Sequence, residues 1–178
     1  MKTSIALVGF MGVGKTAVGK ALAESLGKGF IELDSLIEQK AGKSIPDIFR
    51  QDGEIGFREL EIGAVKGLVG QKQAVIACGG GVVLNKINID RLKKECVIVY
   101  LMASPSVILD RVASDSGERP LLGAGDTAAR IRELMKFRQP YYQRAADITM
   151  NTSKLNINSV VARIINRVKA DADFHCEK

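Results

Sequence analysis

The segment Gly9-Phe10-Met11-Gly12-Val13-Gly14-Lys15-Thr16 matches Gly-x-x-x-x-Gly-Lys-[Ser/Thr] at every fixed position, and no other feature restricts the fold of this chain so closely. Such a loop functions only where a strand delivers it and a helix leaves it. The apolar run Ser4–Val8 precedes it, and a helical pattern over Lys15–Leu26, stopped by Gly27, follows. The glycines let the backbone wrap a phosphate, the helix start aims N–H groups and a positive dipole end at it, and Lys15 adds a full charge. Thr16 supplies a hydroxyl ligand for Mg2+. A chance match in a chain this long is on the order of 1 in 100 from average composition. The alternative, a glycine-rich turn with an exposed lysine, does not account for the strand and helix on either side. Gly12, Val13, Gly14, Lys15, Thr16 and Ala17 are the expected nucleotide contacts.

Four further short apolar runs, Phe30–Leu33, Ala74–Cys78, Val97–Leu101 and Asp147–Met150, are separated by more than a dozen residues each. Short, continuously apolar and widely spaced strands suit a parallel sheet covered on both faces. Helices are predicted at Ser35–Ala41, from Ser44 and Pro46 through Phe49, from Ser104-Pro105 through Val112, at Thr127–Phe137 behind an Asp126 cap, and at about Ile157–Val168. Residues 34–68 hold more helical pattern than one crossover needs, which predicts a small lobe over the sheet edge. Residues 114–126 hold three glycines and one proline between two helices, the composition of a mobile loop. Residues 1–170 read as one domain, and 171–178, which lose periodicity, as a disordered tail.

Composition narrows the class. The chain of 178 residues is 46% hydrophobic and 26% charged, a globular balance. A net charge of +6 admits anionic partners. No aromatic-basic patch or nucleic-acid motif accompanies it, so no nucleic-acid partner is expected. The longest uncharged stretch, Cys96 to Leu109, has 14 residues and contains Pro105, short of the ~20 that span a membrane. The apolar run after Met1-Lys2 meets Lys15 without a cleavage site, so no signal peptide is expected. Cys78, Cys96 and Cys176 are odd in number and lack a Cys-x-x-Cys pair, which fits neither a disulfide framework nor a structural zinc site and predicts a cytoplasmic chain. A regulatory GTPase is excluded, because no Asp has Gly three residues later and Asn85-Lys86-Ile87-Asn88 ends in Asn where guanine recognition needs Asp. At this size a small-molecule kinase with a lid remains.

Two candidate groups lie at predicted strand ends. Asp34 follows the second strand, where open parallel sheets place functional groups, and its carboxylate can orient an acceptor hydroxyl or take its proton; it reads equally as a helix cap. Gly79-Gly80-Gly81 follows the third strand and either turns the chain or lets a ligand approach the backbone.

With these residues stand Asp34-Ser-Leu-Ile-Glu38, Ile45-Pro-Asp-Ile-Phe49, Gly53-Glu-x-x-Phe57-Arg58-x-x-Glu61, Arg119-Pro-Leu-Leu122 and Arg138-x-x-x-Tyr142. In this order they resemble the shikimate kinase family over about residues 3–169. The resemblance implies a three-layer P-loop kinase fold of the nucleoside monophosphate kinase type, with a five-stranded parallel sheet, a lid and an acceptor-binding subregion. It implies transfer of the ATP γ-phosphoryl group, with Mg2+, to the 3-hydroxyl of shikimate, yielding shikimate 3-phosphate and ADP for aromatic amino-acid biosynthesis, and it implies a monomer. It gives Arg58 and Arg138 the acceptor carboxylate and Asp34 the reacting hydroxyl. Gly79, Gly80 and Gly81 fall at the acceptor pocket, and Phe49 and Phe57 at its apolar walls. Glu61, one helical turn from Arg58, can hold the guanidinium, and by spacing so can Glu54. Arg119 corresponds to the lid arginine that approaches the transferring phosphate, with Lys15 and Asp34 as the other catalytic groups, and Arg111 to the arginine stacked on adenine. Many relatives carry Asp where this chain has Glu32, on the metal side, and often an Arg near Asn151–Lys154. Competing readings are a gluconate or nucleoside monophosphate kinase, and a nucleotide-dependent binding protein without catalysis. The last has no need of an acceptor pocket.

Overall fold

Strand β1 (Ser4–Val8) is buried along its whole length, and that decides the layers. Alternate residues of a strand point to opposite faces, so β1 needs cover on both sides. The computed structural model describes residues 2–113, 127–171 and 173–174, with Thr127 described by its backbone alone. Around β1 lie β2 (Gly29–Glu32), β3 (Ala74–Ala77), β4 (Cys96–Met102) and β5 (Ile148–Asn151), in the order β2-β3-β1-β4-β5. Every neighbouring pair is parallel, with Ile5 opposite Val75 and Val97, and Leu7 opposite Ala77 and Val99.

The helices are α1 (Lys15–Leu26), α2 (Leu33–Ala41), α3 (Ile45–Gly67), α4 (Lys86–Glu95), α5 (Pro105–Ala113), α6 (Thr127–Ala145) and α7 (Ile157–Lys169). Ile5 and Leu7 enter one core with Val18 and Leu22 of α1, Ile108 of α5, and Val160 and Ile164 of α7. Ala6 and Val8 enter the other with Ile37 of α2, Phe57 and Val65 of α3, Leu92 of α4 and Tyr142 of α6. Each fully buried aliphatic side chain contributes about 1.5–3 kcal/mol. The expected parallel α/β architecture is therefore present, with both faces of the sheet covered.

Several boundaries differ from the sequence expectation for identifiable reasons. Strand β2 stops at Glu32, one residue early, because Leu33 and Ile37 are both buried in the lobe core and their spacing is helical. The segment expected to end at Phe49 continues to Gly67, as two helical pieces joined at Gly53, where φ is 70° and ψ is −174°. Only glycine takes that conformation without strain. Helix α4 was not expected: its stripe is short, with Asn88, Ile89 and Leu92 its buried residues, although Asn85 caps it by accepting from the Ile87 amide at 3.1 Å. Helix α6 runs past Phe137 and through Pro140 to Ala145. The ring costs it one backbone hydrogen bond, and burial of Tyr142 and Ala145 secures the last turns.

The tail also needs correction. Residues 171, 173 and 174 are packed on the body: the Lys2 amide donates to the Asp173 carbonyl at 2.8 Å, and Phe174 joins the core. The expected loop 114–126, its Arg119, the Asp126 cap and residues 175–178 lie outside the described residues.

Candidate active site

The strand order reverses direction at β1: the chain leaves it for α1, and its neighbours β3 and β4 come later in sequence on opposite sides. Crevices at the carboxyl end of such a switch point are where open α/β sheets bind ligands. The phosphate loop starts there, and the Gly79–Gly81 segment begins just beyond β3 on the same edge.

Lys15 Nζ donates to the Gly9 carbonyl at 2.9 Å and the Phe10 carbonyl at 3.0 Å, bracing the loop from within. Gly14, at the helix cap, offers no side-chain hydrogen bond to the first turn of α1, which leaves that end suited to an anion. The Val13 carbonyl accepts from Arg111 Nη1 at 3.1 Å and from Thr152 Oγ1 at 3.4 Å, while Arg111 also reaches the Gly12 carbonyl at 3.4 Å. Helix α5 thus sets Arg111 against the outside of the loop. Thr16 Oγ1 donates to Glu32 Oε1 at 2.5 Å, which places a hydroxyl and a carboxylate together beside the loop.

Beyond the loop lies a cavity of about 300 Å3. All nine residues expected at the acceptor site line it: Asp34, Phe49, Phe57, Arg58, Glu61, Gly79, Gly80, Gly81 and Arg138. Helix α2 brings Asp34, the kinked α3 brings Phe49, Phe57, Arg58 and Glu61, and α6 brings Arg138. Asp34 is not the helix cap; that position is Glu32, and Asp34 sits in the first turn.

The glycines make this convergence possible. A Cβ on Gly79 would stand 2.6 Å from Asp34 Oδ1, and one on Gly81 would stand 2.3 Å from Arg58 Nη1. A side chain at either position would displace the functional group that faces it. Phe49 and Phe57, with ring centroids 4.9 Å apart, form the apolar wall.

Two of the polar groups keep atoms that no neighbouring group satisfies. Arg138 is 3% exposed, donates weakly to the Gly80 carbonyl at 3.4 Å, and has no partner for its Nε. Asp34 Oδ1 is likewise buried without a hydrogen bond. Buried polar groups normally have partners, and each one left without costs about 1–3 kcal/mol. Burial pushes the Asp34 carboxyl above its ordinary value, against the opposing pull of Lys15 and Arg58; the Glu32 and Glu38 charges add to the upward shift. Burial also raises Glu61, with Arg58 opposing it.

Some of the lining was not read from the sequence. Met11, Glu38, Ile45 and Pro46 also face the cavity; all four fall inside the motif segments of the sequence, which assign them no site role. Tyr142 had a signal, one helical turn after Arg138. Its buried hydroxyl donates to the Gly80 carbonyl, and its ring stacks on Tyr100 at 4.9 Å, which fixes the middle of the triple glycine.

Comparison with known proteins extends these observations. A family model described as shikimate kinase matches residues 11–169. The shikimate kinase of Caldanaerobacter subterraneus subsp. tengcongensis is 48% identical over 91% of this chain and 94% of its own. That of Thermus thermophilus is 42% identical over 96% of this chain and 92% of its own. Among solved structures, shikimate kinase from Acinetobacter baumannii in complex with shikimate superposes with a TM-score of 0.91 at 36% identity, covering 97% of this chain and 96% of that one. The Aquifex aeolicus enzyme gives 0.82 at 33% identity, covering 96% and 99%.

Proposed function

The chain belongs to the shikimate kinase family, and from that premise we propose the roles of its individual residues. It is an ATP-dependent kinase that phosphorylates the 3-hydroxyl of shikimate, with the P-loop kinase fold that this reaction uses. One observation carries the assignment of roles. Two guanidinium groups, Arg58 and Arg138, and the carboxylates of Asp34, Glu38 and Glu61 line a single cavity beside the phosphate loop, and Arg138 and Asp34 both keep buried polar atoms without partners there. Shikimate offers the complement: a carboxylate for Arg58 and Arg138, and hydroxyls for Asp34 and the Gly79–Gly81 backbone.

The β- and γ-phosphates of ATP are cradled by Gly12, Val13, Gly14, Thr16 and Ala17 at the start of α1. Lys15 exchanges its two carbonyl partners for phosphate oxygens. Thr16 and Glu32 present hard oxygen donors side by side and would hold Mg2+, which neutralises charge on the phosphates when bound. Glu32 fits this place although it is one methylene longer than Asp, because the Thr16 hydroxyl already reaches it. Asp34 orients the acceptor hydroxyl towards the γ-phosphorus and accepts its proton as the new bond forms. Its raised pKa makes it a better base than an exposed carboxylate. Phe49 and Phe57 exclude water from the acceptor, and Glu61 holds Arg58. Arg111 supports the loop from outside and faces the adenine side. Arg119, by its Arg-Pro-Leu-Leu context, is assigned to stabilise the transferring phosphoryl group on lid closure.

The working unit is residues 1–170 acting as one kinase domain, with acceptor lobe 34–68 and lid 114–126. We further propose a monomer in the cytoplasm, where the unpaired, buried Cys78 and Cys96 suit a reducing environment. Among the described residues no helix is long and apolar enough to cross a membrane. Coupled ADP-release assays with shikimate, gluconate, AMP and no acceptor test the assignment, with rapid turnover expected for shikimate alone. Equal turnover on another acceptor would overturn it, and size-exclusion chromatography with light scattering tests the monomer.

A further inference from the structure

Spacing leaves Glu54 and Glu61 equally able to pair with Arg58, and the structure uses both at once. Arg58 Nη1 contacts both carboxylate oxygens of Glu61 at 3.2 Å, while Nη2 donates to Glu54 Oε1 at 3.0 Å. The two acids stand in opposite surroundings: the Glu61 side chain is 1% exposed and that of Glu54 is 53% exposed. Elsewhere the guanidinium is hemmed in, with the Gly81 backbone against it and the Phe57 ring 5.2 Å from its central carbon.

The two arginines of the cavity therefore differ when no ligand is bound. Arg138 donates weakly to the Gly80 carbonyl, contacts the Tyr142 hydroxyl and lies over the Phe10 ring, with no ion pair among the described residues, whereas Arg58 carries two carboxylates. A third carboxylate must share the remaining donors of that guanidinium with them, and it is repelled by both charges until one withdraws. Glu61 cannot leave, since burial would strand its charge. Glu54 can, because water receives it at little cost.

We propose that Glu54 is a displaceable counter-ion that competes with the carboxylate of the acceptor for Arg58 and so weakens acceptor binding. This rests on the reading of the cavity as the site of an anionic acceptor. Glu61, Phe57 and Gly81 suffice to keep the guanidinium in place after Glu54 swings away. Glu54 thereby sets the acceptor affinity from outside the cavity wall, and it selects for ligands whose carboxylate binds Arg58 strongly enough to displace it.

Calorimetric titration of shikimate into wild-type, Glu54→Gln and Glu54→Ala chains tests this. An exposed ion pair of this kind corresponds to a factor of about two to five in binding, so both variants are expected to bind shikimate about two- to five-fold more tightly. Shikimate KM should fall by a like factor, with ATP KM unmoved. With the methyl ester of shikimate, which lacks the anionic group, the gain is expected to vanish. Unchanged or weaker shikimate binding in both variants, or an equal gain with the ester, would overturn the proposal. Opposite signs for Gln and Ala would overturn it as well, since both remove the charge. If the wild-type chain itself bound no shikimate, the acceptor reading would fail and this inference with it.

Discussion

Asp34 Oδ1 lies 2.6 Å from the point where a Cβ on Gly79 would stand, with Glu61 Oε1 at 3.4 Å from the same point. The backbone beyond β3 and the carboxylate of α2 therefore share one space, and the first residue of the triple glycine is required by the acid facing it.

Gly79→Ala is expected to lower kcat by about 100-fold, the effect of moving a reacting group by roughly 1 Å, because Asp34 must retreat from the added methyl. The steady-state assay with shikimate measures this directly. Retention of half the wild-type kcat would show that Asp34 has slack that the contact denies.

Asp34→Asn should lose about 10²–10⁴-fold in kcat, the contribution of a positioned general base, and gain stability at the same time. The folded-state pKa of Asp34 is raised above its unfolded value. Between the two values the native state holds more protons than the unfolded state, so stability falls as pH rises through that window. Above it the wild-type chain carries a buried charge that Asn lacks. Thermal denaturation at pH 7 should show Asn melting higher, with the difference shrinking as pH falls through the folded pKa and below. A lower Tm at pH 7 would contradict the burial argument.

Arg58→Ala and Arg138→Ala are each expected to raise shikimate KM by about 10- to 100-fold, from the loss of charge-assisted hydrogen bonds worth roughly 1.5–3 kcal/mol, with ATP KM little changed. Their stabilities should diverge. Removing Arg58 strands Glu61, whose side chain is 1% exposed, whereas removing Arg138 takes away a buried cation with few bonds. Melting curves should place Arg58→Ala below wild type and Arg138→Ala at or above it; the reverse order would be incompatible with these environments.

Phe174→Ala should destabilise the fold by about 1–3 kcal/mol, less than the ~3–5 kcal/mol of a deep-core Phe. Its ring is 9% exposed and lies 5.5 Å from Lys28 Nζ. Denaturant melts measure the loss, and kcat at 25 °C should not change, since the contact lies at the amino end of β1. An unchanged midpoint would mean the terminal packing adds nothing.

The amino-acid sequence alone determined the phosphate loop, because loop, strand and helix are consecutive and their chemistry is local. It determined the parallel α/β class through short apolar runs at wide spacing, and the α1 boundaries through Gly27. The nine acceptor residues were also named from the sequence, through their resemblance to a family rather than through any local rule. Tertiary structure decided what local pattern could not carry. Leu33 became helical and Pro140 stayed inside α6 because distant cores bury the residues around them. The continuation of α3 depends on a φ of 70° at Gly53, which a string of letters does not display. Spacing makes Glu54 and Glu61 equivalent partners of Arg58, since both lie one turn away, and the folded chain pairs it with both. Folding made the two unequal by burying Glu61 and exposing Glu54, and exposure is a property of the neighbours that packing brings, not of the residue itself.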